Sequence, residues 1–120
     1  MRGKLLAACF LMAFSGVSGA FAHAFVDHAD PKVGGSVAES PKAVRVWFTE
    51  PLDPGACSIR VLDASGQSID LGDAHVDAKN TSLLLAGLHL LKAGVYKVVW
   101  QVVSADGHKT EGDFKFQIAL

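Results

Sequence analysis

From residue 43 onward, apolar and polar residues alternate in short runs. In Ala43-Val44-Arg45-Val46-Trp47-Phe48, the residues Val44, Val46 and Phe48 fall on one face, the period-two pattern of a half-buried strand. Ser58-Ile59-Arg60-Val61-Leu62 alternates in the same way, and Ala64-Ser65-Gly66 reads as the turn after it. Thr81 to Leu85 is an apolar run between polar neighbours. Val95 to Val103 is the longest candidate strand, and Asp113 to Ile118 closes the chain. Pro31, Gly34-Gly35, Pro41, Pro51, Pro54, Gly66, Gly94 and Gly107 punctuate these runs at strand-and-turn spacing. No segment sustains a 3.6-residue apolar stripe. The pattern predicts an all-β sandwich or small Greek-key barrel. Trp47, Trp100, Phe114 and Phe116 sit on the predicted strands where core packing would take them. Tyr96, just after Ala93-Gly94, is placed to tether a connection as a tyrosine corner.

The first 22 residues have a different texture. Arg2 and Lys4 make a basic start, Leu5 to Phe14 is apolar, and Ser15 to Ala22 is rich in small residues. That is the three-part pattern of an export signal, too short for a permanent membrane span. Cleavage after Ala22 divides the chain into a signal peptide, 1–22, and one mature domain, 23–120, expected to be exported without stable membrane insertion. Two other readings stay open. Leu6-Ala7-Ala8-Cys9 resembles a lipobox, although only Leu5 and the basic start precede it. Ala22-His23-Ala24 is a second Ala-x-Ala site, and cutting there would discard His23.

Composition narrows what the mature domain can do. Arg2 and Lys4 leave with the signal while all 12 acidic residues stay, so the domain is more acidic than the −1 of the whole chain. With no basic patch, nucleic acid is not an expected partner. Cys57 remains as a lone cysteine, which precludes an internal disulfide. Both methionines, Met1 and Met12, lie in the leader, so the mature domain has no thioether.

Candidate chemistry lies at two places. Cleavage after Ala22 leaves His23 first, and an N-terminal histidine offers its α-amine and imidazole Nδ1 as a chelate that an internal histidine cannot form. Ser104-Ala105-Asp106-Gly107-His108 follows the longest strand, and Asp106 and His108, two apart in extended chain, point the same way. Asp-Gly-His alone also reads as a plain turn. Taken with His23, the set is three nitrogens and one oxygen, which in a tetragonal arrangement suits Cu(II).

At these residues the chain resembles the CopC-type periplasmic copper-resistance proteins. The resemblance rests on His23-Ala24, Pro31-Lys32-Val33-Gly34, Phe48-Thr49-Glu50, Gly94-Val95-Tyr96-Lys97-Val98-Val99-Trp100, Ser104 to His108, and Gly112-Asp113-Phe114-Lys115-Phe116. It implies an immunoglobulin-like or cupredoxin-like β-sandwich holding one Cu(II) per mature chain in a histidine brace. The implied ligands are His23, Asp106 and His108, with Glu50 as a ligand or a neighbour of the ligands. It also implies copper handling rather than catalysis, and an inner-membrane copper importer of the CopD type as a partner. The chain departs from family members that carry a methionine-rich Cu(I) site.

Plainer readings accompany these. Glu50 also reads as a solvated strand end, and His28 as an exposed loop histidine. His75 and His89 lack partners at ligand spacing, and Cys57 reads as a small buried hydrophobe. The leading expectation is a Cu(II) buffer or carrier. A small copper mono-oxygenase using the same brace is the alternative, and a metal-free adhesion domain is the third.

Overall fold

A computed structural model describes residues 23–120, so the signal-peptide assignment lies outside the described residues. The alternating runs become strands because each presents one apolar row that another layer must cover. The strands are β1 (Val26–Asp30), β2 (Ser36–Val37), β3 (Ala43–Phe48), β4 (Ser58–Leu62), β5 (His75–Val76), β6 (Leu83–Gly87), β7 (Gly94–Val103) and β8 (Lys109–Ile118). They form two four-stranded sheets, ordered β1-β3-β6-β5 and β2-β8-β7-β4. β2 runs parallel to β8, and the other pairings are antiparallel. The result is an unclosed sandwich of the expected all-β class. No helix of the described residues is long and apolar enough to cross a membrane.

The core lies between the sheets. Val44, Val46 and Phe48 of β3 and Leu84 of β6 meet Val98, Trp100 and Val102 of β7 and Phe116 of β8, all buried. Trp100 meets Phe48 edge-on across the gap, with ring centroids 5.2 Å apart. Tyr96 behaves as the sequence predicts, its buried hydroxyl donating to the Lys92 carbonyl at 2.7 Å.

Several elements differ from the sequence reading. Trp47 is not core: it alternates with inward Val46 and Phe48, so its ring faces out and lies half-buried against the His28 imidazole. His28 accordingly sits on a strand rather than in a loop. β6 starts two residues later than the apolar run, because Asn80 caps a turn with its side-chain oxygen on Ser82 N and its carbonyl on Leu83 N. β8 begins at Lys109, four residues earlier than predicted, since its polar first half pairs with β7 throughout.

What positions the candidate site is the β7–β8 hairpin. Its loop, Ser104 to His108, is anchored from below by the segment after β3. Asp53 N donates to Val103 O, Ala105 N donates to Pro51 O, and Leu52 bridges Ser104.

Candidate metal centre

The Ser104–His108 loop folds as a tight turn rather than as extended chain. Ser104 N donates to His108 O at 2.9 Å and Gly107 N to Ser104 O at 2.8 Å. Gly107 has φ +96°, a left-handed conformation that side chains rarely tolerate. Asp106 and His108 therefore converge as expected, but through the turn and not through strand alternation.

The Asp106 carboxylate is the hub of this turn. Its Oδ1 accepts a hydrogen bond from the Ser104 hydroxyl and lies 3.1 Å from His108 Nδ1. The Ser104 hydroxyl, then His108, hold the Asp106 carboxyl below the usual carboxylate range. An ionised carboxylate only accepts, so His108 Nδ1 carries the proton. With Nδ1 turned to the carboxylate, Nε2 is the ring nitrogen left to face a metal, the orientation that a carboxylate imposes on a metal-binding histidine.

His23 meets this loop from the other end of the chain. Its ring centroid lies 5.2 Å from that of His108 and 6.1 Å from that of Phe25. The following residue, Ala24, is fully buried, and its carbonyl accepts from the Thr110 hydroxyl at 2.6 Å. Phe25 N donates to Thr49 Oγ1 at 3.0 Å, and Thr49 N donates back to Phe25 O at 2.8 Å. Residues 24 and 25 are thus bonded to β8 and to the end of β3, one from each sheet. Sequence reasoning missed both threonines.

Glu50 follows Thr49 and is half-buried, and its carboxylate makes no hydrogen bond or ion pair with any described residue. The structure brings together His23, Asp106 and His108 around the His108 ring. Among the described residues, no three His, Cys, Asp or Glu groups already stand at metal-cage distances. In the uncut chain the His23 nitrogen is an amide joined to Ala22, so the α-amine is not yet a donor.

The other donors lie apart. Half-buried Cys57 donates its thiol to Asp53 O at 3.2 Å and packs against the core. Burial pushes that thiol up, so it stays protonated at neutral pH. His28 bonds Asp27 at 2.7 Å, His75 Nδ1 lies 2.8 Å from Asp73 O, and His89 is exposed.

The sequence profile of the CopC domain matches residues 26–119. The chain belongs to the CopC family. The match starts three residues beyond His23. Protein YobA of Escherichia coli K12 is 31% identical over 99 residues, covering 82% of this chain and 80% of YobA. Copper transport protein CutJ of Bacillus subtilis is 30% identical over 99 residues, covering 82% of this chain and 18% of CutJ. The crystal structure of CopC from Methylosinus trichosporium OB3b has a TM-score of 0.75 at 33% identity, covering 80% of this chain and 93% of that one.

CopC-type motifs in this chain now have physical reasons. In Gly112-Asp113-Phe114-Lys115-Phe116 the alternate aromatics face inward. A Cβ on Gly112 would stand 2.6 Å from the Trp100 ring, so only glycine lets that ring lie against β8. In Phe48-Thr49-Glu50 the threonine binds the backbone of Phe25.

Proposed function

We propose that this CopC-family chain is an exported copper-handling protein that binds one Cu(II) through His23, Asp106 and His108 after cleavage behind Ala22. The observation that carries the reading is the meeting of the His23 and His108 rings, 5.2 Å apart, beside an ionised Asp106. The His23 amine and Nδ1, His108 Nε2 and an Asp106 oxygen make a nitrogen-rich set with one hard oxygen, which suits Cu(II). A CopC-family relative named as a copper transport protein supports the same metal. Half-buried Glu50 stands next to the Thr49–Phe25 pair and is a further oxygen donor or a neighbour of the ligands.

Burial of Ala24 favours cleavage after Ala22 over cleavage after Ala24. A chain starting at Phe25 would empty the space Ala24 fills and leave the Thr110 hydroxyl without its carbonyl. We read the protein as a periplasmic carrier or buffer that exchanges copper with a membrane importer of the CopD type, and not as an oxygenase. A negative Asp106 ligand and the absence of methionine beyond residue 22 both oppose reduction to Cu(I).

Copper must displace a proton from the amine, whose ordinary pKa is about 7.7–8.0. Affinity therefore falls as pH drops below that range. The deciding experiment titrates Cu(II) against a chelator into protein starting at His23 and into protein with one residue added before it. The extension turns the amine into an amide and is expected to remove most of the affinity while the domain stays folded. Equal affinities and identical nitrogen hyperfine patterns in electron paramagnetic resonance would overturn the proposal.

A further inference from the structure

We infer that Thr110 and Thr49 are the positioning residues of this centre, holding the peptide behind His23 so that amine and imidazole close on an ion already facing His108. The inference rests on the proposed chelate and goes beyond its ligands. A chain terminus frays unless something ties it down, and a chelate on a fraying residue must be ordered anew each time copper binds. Here the tie is specific. Thr110 is two residues beyond His108, so the short stretch from the end of the loop into β8 both presents the His108 imidazole and grips the Ala24 carbonyl, at 2.6 Å. That fixes the spacing between the two histidines through a few covalent bonds and one hydrogen bond rather than through the whole sandwich. Thr49 grips the next residue from the opposite sheet, with its hydroxyl accepting from Phe25 N and its own N–H donating to Phe25 O.

The two ties differ in kind. Ala24 has no solvent access, and its carbonyl bond to Thr110 is partly buried, so losing that hydroxyl leaves a sheltered acceptor unpaired. The Thr49 hydroxyl bond is exposed, and water can replace it. Thr110 is therefore the stronger positioning residue and Thr49 the weaker. Neither touches the metal. Both act through the backbone of residues 24 and 25.

The test uses Thr110→Val, Thr110→Ser and Thr49→Ala, each made in protein starting at His23 and in protein extended by one residue. In the His23-first form, Thr110→Val should lower Cu(II) affinity roughly 10- to 100-fold, the range for residues that orient metal ligands. Thr110→Ser keeps the hydroxyl and should stay near wild type, and Thr49→Ala should lose less than Thr110→Val. In the extended form, which has no chelate to position, none of the three should change copper binding. Circular dichroism checks folding, and Thr49→Ala, on an exposed side chain, serves if Thr110→Val does not fold. Wild-type affinity for Thr110→Val, or an equal loss in both forms, would overturn the inference while the chelate stands. Equal binding by the two unsubstituted proteins would instead sink the chelate itself.

Discussion

The two ends of the β7–β8 hairpin are built on opposite terms. At the start of β7, Tyr96 is buried, stacks on Phe116 with centroids 5.6 Å apart, and bonds the Lys92 carbonyl. At the far end, residues 105–109 are all exposed, and the loop is held by hydrogen bonds within itself and by the segment after β3. One end is tied to the core by apolar area, and the other is shaped by a carboxylate, a serine and one glycine. Stability therefore concentrates away from the candidate centre, leaving the loop free to carry charged groups and candidate metal ligands at little cost to the fold.

The sharpest way to break this contrast is to exchange its consequences. Phe116→Ala at the core end should cost about 3–5 kcal/mol of stability, read by denaturant unfolding. His108→Ala should leave stability within about 0.5 kcal/mol yet lose more copper affinity than the roughly 10- to 100-fold of a merely orienting residue. Similar unfolding midpoints for the two variants would erase the distinction.

A smaller effect comes from the core-end hydroxyl. Tyr96→Phe removes the donor to Lys92 O while keeping the ring, and should cost about 1–2 kcal/mol with copper binding unchanged. Smaller again is a pH effect at Asp70, which braces the edge of β4. Burial pushes this carboxyl up, but bonds from Val61 N, the Ser68 hydroxyl and Gly72 N outweigh that and hold it below its ordinary range. A lowered carboxyl stabilises above its unfolded pKa of about 3.9 and loses that contribution as pH falls through the folded value. Asp70→Asn should thus lower the unfolding midpoint near pH 7 and match wild type at the acid extreme. A constant difference across the whole range would contradict this role.

The smallest effect expected is at His28, stacked on Trp47 with both rings on the outer face. His28→Ala, which loses this cross-strand pair, should shift stability by no more than about 0.2–1 kcal/mol and leave copper affinity unchanged. A large loss of copper affinity would mean that the centre reaches further along β1 than the His23–His108 contact.

Where the sequence was legible, one physical signal repeated often enough to stand out. β3, β4 and β7 alternate over five or more residues, and all were readable. β2 and β5 are two residues each, too short for any period. β1 carries a bulge between Val26 and His28, which puts Asp27 and His28 both at the surface and erases the alternation. Trp47 was misread because an aromatic ring on a strand suggests core, although its own neighbours already fixed its direction. At the candidate centre, Asp106 and His108 were legible because they are close in sequence. Thr49 and Thr110 were not, because a hydroxyl on a strand carries no spacing signal and its role comes only from the chain segment it meets.

The bond from Thr110 to Ala24 joins residues 86 positions apart. Ala24, the second residue of the proposed mature domain, therefore waits for β8, the last strand of the described residues, before its carbonyl can be seated. Closing so long a loop is among the slower events available to a small β-protein. On the proposed reading, a chain in which β8 is not yet in place keeps His23 apart from His108, even where the amine of His23 is already free. On that reading, completing the three-residue centre is a late event, reserved for chains that have been both trimmed and folded.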